Sequence, residues 1–135
     1  MNKTIRILLI EDDQDDVDLL KEALDDNDVV YTIDIIKDGG LVADHITNCS
    51  AYPDIIVLDF NLPRVHGREL LKKFKLAPIF KDIPLIILTT SSAKEDMEYA
   101  YREGAERFLI KPSTVQGLNT VISTILELIK NHANQ

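Results

Sequence analysis

Two hydrophobic periods alternate along this chain, and few folds accommodate that alternation. Short apolar, β-branched runs fall at Ile5–Ile10, Val30–Ile36, Ile55–Leu58, Leu85–Leu88 and Phe108–Ile110. Segments with helical spacing lie between and after them. Their apolar stripes are Val17, Leu20 and Leu24; Leu70, Leu71 and Phe74; Ala93, Met97, Ala100 and Tyr101; and Val115, Leu118, Ile122, Ile125 and Ile129. The weakest helical signal is Leu41–Cys49, after the turn-forming Asp38-Gly39-Gly40. Runs with almost no polar alternation predict strands buried on both faces, and so a parallel sheet with helices on each side. Right-handed crossovers then leave only a few doubly wound topologies. The pattern predicts an α/β fold of the (βα)5 type with a five-stranded sheet. No linker or repeat interrupts it, so one domain over residues 1–135, with no separate effector, is expected.

Composition narrows the function classes. No apolar run approaches the ~18 residues of a membrane span, and the start MNKTIRILLIEDD lacks a signal-peptide pattern. A cytoplasmic protein without a membrane partner is the expectation. The lone Cys49 excludes an internal disulfide and any multi-cysteine metal site, and is expected to be a small buried or half-buried hydrophobe. The chain carries 23 acidic and 15 basic residues, a net charge of −8, which opposes non-specific binding to nucleic acid. Residues 11–28 hold ten acids against Lys21 alone. Much of that block reads as a solvated helix face. The basic group Arg64, Arg68, Lys72, Lys73, Lys75 and Lys81 has no interleaved aromatics to stack bases and is expected to decorate an exposed helix. His45, His66 and His132 show no metal-ligand spacing.

The chemistry is expected where the strands end, since open α/β sheets bind ligands outside the carboxyl ends of their strands. Glu11, Asp12 and Asp13 follow the first apolar run, and Asp59 with Phe60-Asn61-Leu62-Pro63 follows the third. Thr89 and Thr90 follow the fourth, and Lys111-Pro112 follow the fifth. Carboxylates gathered at one edge are costly, because unit charges ~4 Å apart repel by about 4 kcal/mol at an effective dielectric of roughly 20. Protons or a cation would relieve this. Hard divalent ions take oxygen ligands, and Mg²⁺ commonly binds one or two carboxylates, waters and a substrate phosphate. A lysine and a threonine at the same edge would offer a cation and a hydroxyl donor to phosphoryl oxygens. A carboxylate can itself be the nucleophile, as in aspartyl-phosphate intermediates. Singly, Asp12 or Asp13 could be a helix N-cap, Thr89 a turn residue and Lys111 a surface charge. Jointly, they point to phosphoryl transfer onto an Asp.

The segments ILLIEDD, IIVLDFNLPRVHG, LIILTTSS and FLIKPS run in this order from Ile7 to Ser113. As a set they resemble the response-regulator receiver domain, the phosphorylation module of two-component signalling. The resemblance implies a flavodoxin-like sheet with strand order 2-1-3-4-5 and Asp59 as phosphoacceptor. It implies a Mg²⁺ site, open to Mn²⁺, formed by Asp12, Asp59 and the backbone carbonyl of Asn61, with Glu11 as the other member of the acidic pair. Asp13 falls one place beyond that pair. Thr89 corresponds to the switch hydroxyl, Lys111 to the lysine that pairs with the phosphoryl group, Phe108 to a mobile aromatic, and Gly67 closes the loop after the acceptor. The family also implies a cis Lys111–Pro112 bond and a sensor histidine kinase as phosphoryl donor. NLPR and LTTS are similar to strings in stand-alone regulators of phytochrome-type kinases, although Ser113 stands where many of those have Val or Ile. Such a protein catalyses only its own phosphorylation and dephosphorylation. It would signal through its fourth helix, fifth strand and fifth helix, to a protein partner or in a homodimer.

Rival readings each lack a part. An Asp-nucleophile phosphatase of the haloacid-dehalogenase type needs a second Asp two residues after the first, where this chain has Asn61. A flavodoxin-like carrier needs a phosphate-cradling loop after the first strand, and EDDQDD would repel phosphate. A dinucleotide-binding domain would need G-x-G-x-x-G, which is not present.

Overall fold

Five parallel strands, β1 (Ile5–Ile10), β2 (Tyr31–Ile36), β3 (Ile55–Leu58), β4 (Leu85–Thr89) and β5 (Arg107–Ile110), pair in the order β2-β1-β3-β4-β5. The computed structural model describes residues 3–63 and 65–133, so Arg64 of the basic group lies outside the described residues. The helices are α1 (Gln14–Asp26), α2 (Val42–Asn48), α3 (Gly67–Leu76), α4 (Lys94–Arg102) and α5 (Leu118–Ala133), with 3₁₀ turns at Gly39–Leu41 and Phe80–Asp82.

Alternation along the central strands divides the core in two. Leu8, Ile10, Ile56, Leu58, Leu85 and Ile87 face α2, α3 and α4, packing with Val42, Leu70, Leu71, Phe74 and Ala100. Ile7, Leu9, Ile55, Val57, Ile86 and Leu88 face α1 and α5, packing with Val17, Leu20, Leu24, Leu118, Ile122 and Ile125. Both faces are covered, which is why β1, β3 and β4 are apolar nearly throughout. The edge strands depart from that rule: Thr32 and Asp34 on β2 and Arg107 and Ile110 on β5 are exposed.

Three sequence expectations are corrected. Ala93, Met97 and Tyr101 were expected as a core stripe on α4, yet all three are exposed and Ala100 is the helix's buried residue. The reason is position: α4 lies over the β5 edge of the sheet, where a narrower strip of the helix can be covered. The basic face of α3 is only partly free, because Arg68 pairs with Asp96 and Lys75 lies 3.9 Å from Glu106, whereas Lys72 and Lys73 are exposed; Lys81, also exposed, lies beyond the helix in the 3₁₀ turn. The Lys111–Pro112 bond, expected cis, is trans, and no cis peptide occurs among the described residues. Trans is the lower-energy isomer, and with it the Lys111 ammonium still reaches the strand-end carboxylates.

Candidate functional site

Register brings the strand ends level. Ile10 pairs with both Ile36 and Leu58, Leu58 with Ile87, and Thr89 with Ile110. The ladder continues for one residue past the strands: Asp59 N–H donates to Ile10 O (3.2 Å) and Lys111 N–H to Thr89 O (2.8 Å). Glu11, Asp59, Thr89 and Lys111 therefore follow or close adjacent strands at one edge. Glu11, Asp59 and Thr89 are almost fully buried, at 3%, 4% and 0% exposure, which is rare for carboxylates. One oxygen from each of Glu11, Asp12 and Asp59 lies within 4.8 Å of the others. An all-oxygen, multiply anionic set of this kind suits a hard divalent cation.

The Lys111 ammonium links the site. Its Nζ lies 2.6 Å from Glu11 Oε1, 2.9 Å from Asp59 Oδ2 and 2.7 Å from Asp16 Oδ2. Burial works against its charge, but the hydrogen bonds to Asp16, Glu11 and Asp59 outweigh it and hold the ammonium above the ordinary lysine range. Burial pushes the Glu11 carboxyl up to about 7, with the hydrogen bond from Lys111 opposing and the Asp59 charge reinforcing. The second oxygen of Asp59 accepts the Asn61 N–H at 3.0 Å. The Asn61 side-chain amide donates to Thr90 Oγ1 at 2.8 Å, which ties the loop after β3 to the loop after β4.

Asp12 and Asp13 separate cleanly. Asp13 is the N-cap of α1, its side chain accepting from Asp15 N–H at 2.9 Å, whereas Asp12 is exposed and belongs to the acidic trio. Gly67 opens α3, and its N–H donates to Phe60 O at 3.1 Å. His66 caps the same helix by accepting Arg68 N–H on Nδ1. Cys49 is half-buried.

The loop after β4 is held on two sides. Thr89 Oγ1 accepts Ser91 N–H at 3.3 Å, which leaves its own proton free to donate elsewhere. Ser91 Oγ donates to Asp96 Oδ2 at 2.7 Å, and Asp96 Oδ1 accepts from Arg68 at 2.7 and 3.0 Å. Burial raises the Asp96 carboxyl, but the hydrogen bonds from Ser91 and Arg68 outweigh it and hold the group below the usual range. The Arg68 guanidinium also sits 4.8 Å from the Tyr99 ring centre. Phe108 is turned inward, 6% exposed and edge-on to Phe60 at 5.9 Å, and its N–H donates to Tyr101 Oη at 3.0 Å. Phe108, which the resemblance matched to a mobile aromatic, therefore lies in the core in this conformation.

The sequence reading missed Asp16 and the Ser91–Asp96–Arg68 group. Asp16 had a signal: it stands four and eight residues before Leu20 and Leu24 and so extends their inward stripe. The Ser91 group had none, since its members come from three separate elements.

Residues 7–123 match the family model of the response regulator receiver domain. Response regulator Rcp1 of Synechocystis is 32% identical over 124 residues, covering 88% of this chain and 84% of Rcp1. Among solved structures, the phosphorylated cyanobacterial phytochrome response regulator RcpA superposes with a TM-score of 0.82 at 29% identity, covering 93% of each chain. The Mn²⁺-bound form of Rcp1 superposes with a TM-score of 0.77 at 32% identity, covering 90% of this chain and 91% of that one.

Proposed function

This chain belongs to the response regulator receiver family of two-component signalling, and on that premise we propose that Asp59 is the residue that takes the phosphoryl group. Receiver domains are signalling proteins that sensor histidine kinases phosphorylate, and they bind a divalent metal. The observation that carries the assignment to Asp59 is its position: it is buried between Glu11, Lys111 and the Asn61 N–H, and it shares the acidic trio with Asp12. In the reaction an Asp59 oxygen attacks phosphorus in line. The bond from phosphorus to the donor breaks, and the donor leaves with that electron pair. The Lys111 ammonium is held where it can bind a phosphoryl oxygen, and the Thr89 hydroxyl has its proton available for another.

Glu11, Asp12 and Asp59 would hold Mg²⁺, or Mn²⁺ in its place, with the Asn61 carbonyl as a further donor. When bound, the cation supplies charge that offsets the carboxylates and the incoming phosphoryl group. Wild-type protein treated with acetyl phosphate should gain one phosphoryl group by mass spectrometry with Mg²⁺ and none in chelator. Asp12→Ala should reduce this labelling and weaken Mg²⁺ binding in calorimetry by at least about tenfold, the scale of removing one charged ligand from a hydrogen-bonded site. Asp13→Ala, which removes a cap worth about 1 kcal/mol, should cost helix stability instead. Labelling that ignores the cation, or a larger metal defect in Asp13→Ala, would overturn the assignment.

The readout surface is α4, β5 and α5. Support comes from the connected contacts Thr89–Ser91–Asp96–Arg68–Tyr99 and from the exposed Met97, Tyr101 and Ile110 at 38%, 45% and 47%. A phosphoryl oxygen that draws on Thr89 pulls on the same loop that Ser91 ties to α4. The partner would be a protein or a second copy of the chain, and the donor a phytochrome-type histidine kinase, in line with what RcpA is. Backbone chemical shifts with Mg²⁺ and beryllofluoride should change from Tyr99 through Phe108 as well as around Asp59. Changes confined to the acceptor loop would defeat this route.

A further inference from the structure

Lys111 has three N–H donors and three carboxylate partners, but those partners are not equivalent. Glu11 and Asp59 belong to the trio able to take a cation, and Asp16 does not. Asp16 comes from the first turn of α1, next to the Asp13 cap that fixes where that helix begins. Its side chain is 31% exposed, against 5% for Glu11 and 4% for Asp59. Around these groups lies a small hollow whose remaining wall is apolar, with Leu9, Leu19, Leu20, Leu88, Pro112 and Leu118. That wall provides no side-chain acceptor for an ammonium.

We propose that Asp16 is a positioning residue that keeps Lys111 at the acceptor once Glu11 and Asp59 are engaged by a cation and a phosphoryl group. The inference rests on the receiver reading above. Glu11 and Asp59, if they held a divalent cation with Asp12, would have less charge left for the Lys111 ammonium, and the cation's charge would oppose it. With only apolar side chains behind it, an untethered Lys111 would turn toward water. The Asp16 carboxylate, 2.7 Å away and outside the acidic trio, opposes that displacement. One N–H stays on Asp16 while the other two are free to bind phosphoryl oxygens. Asp16 touches no reacting atom; it acts through Lys111.

A double-mutant cycle separates this role from a purely structural one. The probe is beryllofluoride with Mg²⁺, titrated by calorimetry into the full chain and into Asp16→Ala, Lys111→Ala and the double variant. Asp16→Ala should bind about tenfold more weakly, the scale of one charge-assisted hydrogen bond, and should cause no further loss when Lys111 is already Ala. Asp16→Asn retains a carbonyl acceptor and the helix-turn shape, and should recover part of the affinity while melting close to wild type. A second measurement reads the tether directly. The Lys111 ¹H–¹⁵Nζ signal should be visible in the wild-type Mg²⁺–beryllofluoride complex and lost by solvent exchange in Asp16→Ala. Undiminished affinity in Asp16→Ala, an equal loss in both Lys111 backgrounds, or a persistent ammonium signal would overturn the tether while leaving Asp59 as acceptor. Failure of wild type itself to bind beryllofluoride would overturn the receiver reading with it.

Discussion

Asp59→Asn should gain no phosphoryl group under conditions that label wild type to one group per chain. The competing carboxylates make this a demanding expectation, because Glu11, Asp12 and Asp16 all lie in the same neighbourhood. Each is placed differently from Asp59. Glu11 accepts from Lys111 through Oε1 and would be taken up by the cation. Asp12 is exposed and would likewise be taken up by the cation, and Asp16 lies outside the acidic trio, 2.7 Å from Lys111. Asp59 has one oxygen on the Asn61 N–H and the other on Lys111, and is held in one orientation from both sides. An amide cannot form the acyl phosphate, and its NH₂ would face one of those two donors, so some stability is lost too. Circular dichroism and a melting curve show whether the variant remains folded. A folded Asp59→Asn that still takes up one phosphoryl group would remove Asp59 from the mechanism.

That the strand ends collect these groups was legible in the sequence because two periods were legible. β1 and β3 begin and end where their apolar runs do, since both are central strands with covered faces. One limit each of β2, β5 and β4 shifted by one residue, the first two on edge strands with a single neighbour and the third at Thr89, whose polar side chain breaks the apolar run. Once the sheet is parallel, residues after each strand must share an edge, and Glu11, Asp12, Asp59 and Lys111 do come together there. What the sequence could not supply was anything decided by one element leaning on another. The stripe of α4 was misread because spacing says which residues share a face and not which face meets the sheet. The inward Phe108 ring and the Ser91–Asp96–Arg68 group depend on how α3, α4 and β5 meet, and no local pattern encodes that. The trans Lys111–Pro112 bond was missed because the expectation came from kinship and not from these residues.

Gly67→Ala should be the most damaging single-methyl change near the site. A Cβ there would lie 2.4 Å from Phe60 Cα, 2.5 Å from its ring and 2.7 Å from Asp59 O. Two of those three atoms are backbone, and the ring is packed between His66 and Phe108, so none can step aside cheaply. The requirement for glycine here is close approach: the first turn of α3 lies directly on the backbone that follows the acceptor. Adding a methyl must push α3 away or displace the Asp59–Phe60 segment. The first loosens Leu70, Leu71 and Phe74 from the core, and the second shifts Asp59 against Lys111 and the acidic trio. Overpacking of this kind costs about 3 kcal/mol, which in a domain of this size lowers the melting temperature by roughly 10 °C. Gly40→Ala is the matched control, because its Cβ would meet only the Asp38 side chain, at 3.2 Å. The two variants carry the same added methyl and differ in whether backbone or a side-chain carboxylate stands in its way. Gly67→Ala should melt well below Gly40→Ala and bind Mg²⁺ more weakly. Equal melting of the two would mean that the acceptor loop has slack, and that its close contact with α3 does not hold Asp59 in place.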